Sequence, residues 1–133
     1  MSKAVVLIEK DENGFGAFID GIRSTIIGEG ASAEEAKADL LNSYAEVLAS
    51  YSENGEEIPE ELRDLEFEYK YDISAMFNRF DFLNASKFAK HIGISPSLMR
   101  HYKCGGTYIS TEQAKKIENG LHSIARELLQ VVL

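Results

Sequence analysis

The chain has 133 residues and a formal net charge of −8, with 44% hydrophobic and 27% charged residues. This length allows one ordinary domain or two small ones, and the composition is typical of a folded protein rather than a disordered one. The apolar run AVVLI near the start is too short for a membrane span or a signal-peptide core. We therefore expect a cytoplasmic protein with no membrane segment, and the single cysteine, Cys104, excludes an internal disulfide.

The charge is divided unevenly along the chain. Residues 1–72 contain 18 Asp and Glu against 6 Lys and Arg, whereas residues 73–133 contain 4 against 8 and all three histidines. The first part therefore suits a basic partner, and the second can approach DNA. We predict two modules, at residues 1–72 and 73–133, with two different partners.

The acidic part begins with strand patterns. KAVVLIEK is a β-rich apolar run, DENG is typical of a turn, and FGAFID alternates well enough for a second strand, so the three segments predict a β-hairpin. The segment STIIG at 24–28 predicts a third short strand. LEFEYKYD at 65–72 alternates apolar and polar residues, which predicts a strand with one solvated face.

A helix is predicted between the third and the last of these strands. Ser32 and Glu35 match a capping box, in which the serine oxygen and the glutamate each accept an otherwise unpaired backbone amide. Gly55 ends the helix, and Pro59 prevents it from resuming. One apolar stripe follows helical spacing: Ala33, Ala36, Leu40, Tyr44, Val47 and Tyr51. The predicted order of the acidic domain is β-β-β-α-β.

These segments resemble the N-terminal domain of HicB-type antitoxins. The resemblance covers roughly residues 3–60 and depends on the order of KAVVLIEKDENGFGAFIDG, GEGASAEEAKADLLNSYAEVL and ENGEEIP. One segment departs from the family, because DGIRST stands where many members carry a Pro-Gly-Cys turn. The resemblance implies a truncated, non-catalytic RNase H-like fold. It also implies a partner, a small basic HicA-type toxin that cleaves RNA.

An RNase H-like fold raises the alternative of a metal-dependent nuclease. Such chemistry needs carboxylates that converge on metal ions, and the candidates are Glu9, Asp20, Glu35 and Asp39. Glu35 and Asp39 share a helix face, but with 18 acids in 72 residues such pairs arise by chance, and a solvated face is the simpler explanation. We therefore expect no enzymatic activity and no cofactor.

The stretch SKFAKHIGISPSLMRHY at 86–102 has the spacing of a helix-turn-helix of the phage-repressor type. Ala89 is the small residue inside the first helix, and Gly93 supplies the positive φ of the turn. Asn84 is a candidate N-cap for the first helix, and Ser95 followed by Pro96 begins the second. The positions that lock the helices to the domain are Phe88, Ile92, Ile94, Met99 and Tyr102.

The outward side of this motif predicts a DNA-binding surface. Its candidate residues are Ser95, Ser97, Arg100, His101, Lys103, Lys87 and Lys90. Arg can bind guanine through two hydrogen bonds, whereas Ser and His are less selective. The alternative is a helical corner that only packs. A metal site at His91, His101 and Cys104 is not expected, because the spacing fits no zinc motif.

Two further helices flank the motif. ISAMFNRF at 73–80 predicts a leading helix that packs through Ile73, Met76, Phe77 and Phe80. Ser110 and Gln113 predict a second capping box, and Gly120 is a point where the helix that follows can bend or divide. A seam in that helix, Ala114, Ile117, Leu121, Ile124, Leu128 and Val131, predicts packing against the domain or against a second subunit. We therefore expect a homodimer or higher homo-oligomer.

The sequence thus predicts an α+β protein in which a HicB-like, partial RNase H-like domain precedes an all-α helix-turn-helix domain. The leading hypothesis is a HicB-type antitoxin that binds a HicA-like toxin and represses its own operon by binding operator DNA. A free-standing regulator with a ligand-sensing N-terminal domain and a divergent nuclease are the alternatives. The regulator requires an enclosed pocket, and the nuclease requires carboxylates that bind divalent metal.

Overall fold

A computed structural model describes residues 2–133 and has a mixed α+β structure. These residues form five β-strands, five α-helices and one 3-10 turn. The chain divides after Lys70 into two compact units, which we call unit 1, up to Lys70, and unit 2, from Tyr71 to Leu133. Within residues 2–133, no helix combines the length and the apolar character that crossing a membrane requires.

Unit 1 has the element order β-β-β-α-β that the sequence predicts. Its elements are β1 (Ser2–Asp11), β2 (Gly14–Ile19), β3 (Ile27–Gly30), α1 (Ala33–Glu53) and all but the last two residues of β4 (Leu65–Asp72), with the 3-10 turn at Glu60–Leu62. Between β1 and β2 the Asp11 carboxylate accepts hydrogen bonds from the amides of Asn13 and Gly14, at 2.8 and 2.9 Å. This turn connects the two strands as an antiparallel hairpin.

β3 begins later than the sequence predicts. The segment STIIG at 24–28 was the expected strand, whereas β3 spans Ile27–Gly30. Within β3, Gly28 lies where α1 approaches closely, because a Cβ atom there would lie 2.3 Å from the Leu40 nitrogen and 2.4 Å from the Ala36 oxygen. Glycine has no Cβ atom, so it lets the helix backbone approach the strand, although strand propensity favours β-branched residues.

The strand register determines which side chains face α1. Ile8 pairs with Ala17, and Ala17 pairs with Gly28, so the three residues form one cross-strand row. Because Gly28 lies against α1, the whole row faces that helix. Ile8, Ala17 and Leu40 are almost fully buried and belong to the core of unit 1.

The capping box of α1 forms with one change of partner. The Ser32 hydroxyl oxygen accepts a hydrogen bond from the Glu35 amide at 3.1 Å. The Glu35 carboxylate accepts one from the Ala31 amide at 2.7 Å, one residue before the predicted donor. At the other end, Gly55 has a φ of +66° just after the helix, as the sequence predicts.

Unit 2 contains four helices and one short strand. Its elements are α2 (Ser74–Arg79), α3 (Ala85–Ile92), α4 (Pro96–Cys104), β5 (Ile109–Ser110) and α5 (Thr111–Leu129). The strands of unit 1 lie in the order β3-β2-β1-β4, and the prediction that unit 2 is all-α is wrong at β5. A two-residue strand is too short to produce a detectable alternation of apolar and polar residues, so its sequence resembles a loop.

The core of unit 2 is formed by buried side chains from its helices and from the segments between them. They are Phe77, Ala85, Phe88, Ala89, Ile94, Met99, Tyr102, Ile109 and Ile117. Phe80, which the sequence placed on the packing side of the leading helix, is 40% exposed. Because α2 ends at Arg79, Phe80 leaves the helical stripe, and its ring lies edge-on to Phe82 at 6.2 Å.

Helix α5 is continuous, and Gly120 does not divide it. A Cβ atom at Gly120 would lie 2.3 Å from Cγ2 of Ile92, so the glycine allows α5 to approach α3. The first four residues of the predicted seam, from Ala114 to Ile124, belong to the core or pack against it. Leu128 and Val131 are 65% and 60% exposed, so the seam continues beyond the part of α5 that the core covers.

Candidate nucleic-acid interface

Helices α3 and α4 meet at a tight corner. Gly93 follows α3 with a φ of +76°, in the left-handed region that glycine adopts without strain. Ala89 is fully buried, which is consistent with its prediction as the small residue within the first helix. Of the predicted anchors, Phe88, Ile94, Met99 and Tyr102 are buried and Ile92 is partly buried. The corner is therefore locked to the core of unit 2.

Side-chain caps fix the start of both helices. The Asn84 side-chain oxygen accepts a hydrogen bond from the Lys87 amide at 2.9 Å, which caps α3. The Ser95 hydroxyl oxygen accepts one from the Leu98 amide at 3.4 Å, and Pro96 is the first residue of α4. Both caps are as predicted, because each depends on residues only three positions apart.

Helix α5 supports the corner through contacts that the sequence did not reveal. The Lys116 ammonium donates a hydrogen bond to the Gly93 carbonyl oxygen at 3.1 Å, across 23 positions of the chain. Ser110 caps α5 as predicted, accepting from the Gln113 amide at 3.2 Å. The Gln113 side chain does not complete the predicted capping box, because it donates to the Tyr102 hydroxyl at 3.3 Å. The Gln113 side chain therefore contacts the core residue Tyr102 instead of the backbone at the start of α5.

The outward side of the corner carries the predicted candidate residues, and each of them is exposed. They are Lys87, Lys90, Ser95, Ser97, Arg100, His101 and Lys103. With 3.6 residues per turn, Ser97, Arg100 and His101 lie opposite the buried stripe of α4, which consists of Met99 and Tyr102. Three polar side chains of α4 therefore project together into solvent.

Arg100 is held in place by a residue that the sequence did not single out. Its Nη1 atom donates a hydrogen bond to the Ser86 hydroxyl of α3 at 2.8 Å. A guanidinium has five N–H donors, and this bond uses one of them, so the group can still bind a base edge or a phosphate. Leu98, beside these residues on α4, is 40% exposed, so α4 also presents an apolar side chain to solvent.

The corner lies in a stretch of the chain that contains no acidic residue. Between Asp81 and Glu112 the sequence has no Asp or Glu, whereas it has Lys87, Lys90, Arg100 and Lys103. This stretch includes all of α3 and α4, so both helices carry basic residues and no acidic ones, although the net charge of the chain is −8.

The structure does not bring the four nuclease candidates together. The Asp39 carboxylate accepts a hydrogen bond from the Glu29 amide of β3 at 2.9 Å, and Glu35 belongs to the cap of α1. Glu9 pairs with Gly16 on the sheet face away from α1, and Asp20 is exposed after β2. Within residues 2–133, no three His, Cys, Asp or Glu residues form a group that could hold a metal ion.

A surface groove of about 920 Å³ lies in unit 1. It is lined by the start of β1, the turn after β2 and the segment before β4, and it is open to solvent. Its lining includes the charged side chains of Lys3, Asp20 and Glu61. Small-molecule sites are usually more enclosed and more apolar, so this groove does not resemble the enclosed pocket that a ligand-sensing domain requires.

No protein-family model, curated protein or solved structure matches this chain. The function is therefore inferred from the charge distribution, the exposed side chains and the packing of residues 2–133.

Proposed function

We propose that the protein is an antitoxin of a HicAB-like toxin-antitoxin system that also represses its own operon. Unit 2 binds operator DNA, and unit 1 binds and occludes a small basic toxin that cleaves RNA. One observation carries the proposal: an otherwise acidic chain exposes a group of cationic and polar side chains on one helical corner that contains no acid. Phosphate is the ligand that such a surface attracts most strongly.

In this proposal, α3 and α4 form a helix-turn-helix. The second helix, α4, enters the major groove, and α3 crosses the phosphate backbone. Arg100 binds a guanine edge, and Ser97 and His101 contact neighbouring bases. Lys87 and Lys90 contact phosphates, which fix the register of the protein on DNA without selecting a sequence.

The proposal includes a homodimer formed through the end of α5. The exposed apolar residues there are Leu128, Leu129, Val131, Val132 and Leu133, which are between 60% and 114% exposed. An apolar end of this kind is unfavourable in water and is typical of an interaction site. A two-fold dimer would place two α4 helices ~34 Å apart on successive major grooves, which is how such units usually gain affinity.

The toxin-binding part of the proposal is supported by the acidic charge of unit 1 and by its element order. The β-β-β-α-β order is compatible with the partial RNase H-like fold of HicB-type domains. An acidic surface accelerates encounter with a basic protein and selects against nucleic acid. If toxin binding alters the dimer that DNA favours, the two equilibria are coupled, and toxin abundance tunes repression.

Co-expression tests the proposal directly. We would express this chain with the product of the small open reading frame beside its gene and measure the mass of the complex by size-exclusion chromatography with light scattering. A stable complex that suppresses RNA cleavage by the partner is the expected result. If no complex forms, or if no basic protein is encoded there, the antitoxin proposal fails and a free-standing DNA-binding regulator takes its place. Divalent-metal-dependent cleavage by this chain alone would instead support the nuclease.

A further inference from the structure

The sheet of unit 1 has a second face, on the side away from α1. Leu7 pairs with Phe18, and Phe18 pairs with Ile27, so these side chains form one row across three strands. Side chains alternate along a strand, so this row points away from the helix that the neighbouring Ile8 row covers. Ile27 is 50% exposed, Phe18 is partly exposed and Leu7 is buried. We call this surface the open face.

Acidic residues occupy the next row of the open face. Glu9 and Glu29 both pair with Gly16, one from each side of β2. They are two positions from Leu7 and Ile27 and therefore lie on the same face. Both glutamates are exposed, so carboxylates border the apolar row along one side.

β4 adds two more glutamates to the open face. The Phe67 ring packs edge-on against Tyr44 of α1, with ring centres 5.3 Å apart, so Phe67 points toward that helix. Its neighbours Glu66 and Glu68 therefore point to the opposite face, and both are exposed. The alternation also places two lysines, Lys3 and Lys70, on this face, which leaves the carboxylates in excess.

The chemistry of the open face selects one class of partner. Its carboxylates repel nucleic acid and anionic lipid. Small-molecule sites are usually enclosed and apolar, whereas the hollow beside this face at Gly16 and Glu29 is open to solvent and bordered by carboxylates. An apolar centre with a charged rim is, however, the usual anatomy of a protein-protein interface. The complementary surface is that of a protein with apolar residues inside a ring of Lys and Arg.

We propose that the open face is the docking surface for the basic partner of unit 1. Phe18 and Ile27 form its apolar centre, and Glu29, Glu66 and Glu68 form its acidic rim. This inference rests on the proposed function, because it assigns the place on unit 1 where the basic toxin binds. Binding buries the exposed part of Ile27 and pairs the glutamates with cations of the partner.

Three variants of the full chain test the docking surface. The partner in the test is the basic protein encoded beside the gene, and its dissociation constant is measured by titration calorimetry. Glu66→Lys/Glu68→Lys reverses the rim, and Ile27→Arg places a cation in the apolar centre. Glu53→Lys/Glu56→Lys is the matched control, because it makes the same charge change at exposed positions at and beyond the end of α1.

We expect the rim reversal to weaken binding on the order of 100-fold, because each reversal replaces attraction by repulsion. Ile27→Arg should weaken it at least ~10-fold. The control should change binding by no more than about threefold at physiological salt. Far-UV circular dichroism and operator binding confirm that each variant is folded.

The outcomes separate this inference from the proposed function. If the parent chain binds the basic protein and both open-face variants bind it equally well, the docking surface is wrong and the antitoxin proposal stands. If the control weakens binding as much as the rim reversal does, only net charge matters, and the open face is again wrong. If the parent chain does not bind, the antitoxin proposal fails, and the docking surface fails with it.

Discussion

Gly120 provides a direct test of how α5 packs against α3. In the substitution Gly120→Ala, the new methyl group would lie 2.3 Å from Cγ2 and 3.2 Å from Cβ of Ile92. Ile92 cannot easily withdraw, because β-branched side chains have one strongly preferred χ1 rotamer in a helix. Its Cβ atom is also attached directly to the backbone. The two helices must therefore separate slightly, or Ile92 must adopt a strained rotamer.

Two opposing terms set the size of the effect. Alanine is favoured over glycine in a helix by about 1 kcal/mol. Overpacking a filled site typically costs ~1–3 kcal/mol. Because one of the two close contacts involves a backbone-attached atom, we expect overpacking to exceed the gain in helix propensity. The predicted net effect is a loss of about 1 kcal/mol in the free energy of unfolding of unit 2.

Urea unfolding of the full chain, followed by NMR peak intensities of α5 amides, measures this loss separately from the unfolding of unit 1. Asn119→Ala is the control, because its exposed position gains helix propensity without a contact. In Ile92→Ala/Gly120→Ala the new methyl group has room, so the double variant should be more stable than the sum of the single changes by about 1 kcal/mol. If Gly120→Ala is as stable as Asn119→Ala, or if the two changes are additive, the packing argument is refuted.

Further predictions concern DNA binding, assembly and the sheet edge. Arg100→Ala should weaken operator binding by ~1–3 kcal/mol and relax base preference in fluorescence anisotropy, whereas Lys87→Ala should mainly reduce the salt dependence of binding. If Arg100→Ala binds the operator with the affinity and base preference of the parent chain, α4 is not the recognition helix. Ser86→Ala should relax base preference, because it removes the hydrogen bond that orients Arg100. It removes no charge, so the salt dependence of binding should stay the same. If the base preference is retained, Ser86 does not orient Arg100 for base recognition. Leu129→Glu/Val132→Glu should convert a dimer to a monomer in light scattering, and a monomeric parent would rule out the dimer. Asp39→Ala should reduce stability by about 1 kcal/mol and promote aggregation, because it frees the Glu29 amide on the edge strand β3; unchanged solubility and stability would count against this.

The α3–α4 corner was the part of the structure that the sequence predicted best. Gly93, the Asn84 cap and the Ser95 cap all appear where the spacing placed them. Each of these features depends on backbone angles or hydrogen bonds within four residues, so the information is contained in a short window. The exposure of Arg100 and His101 followed from the same helical period.

Features that depend on distant segments were missed or misplaced. The bond from Lys116 to Gly93 joins residues 23 positions apart, and the Gln113 side chain leaves its predicted cap for Tyr102. No local pattern distinguishes these side chains from other exposed polar residues. The strand β5 was missed for a similar reason, because its two residues are too few to alternate.

The sequence by itself determined the unequal charge of the two parts, the order of the elements in unit 1 and the caps of the helices. These depend on composition and on interactions between near neighbours. Only the tertiary structure decided which glycines are contact points, as at Gly28 and Gly120, and which sheet face α1 leaves uncovered. Close packing joins segments that are far apart in the chain, and the space available at each position is a property of both partners.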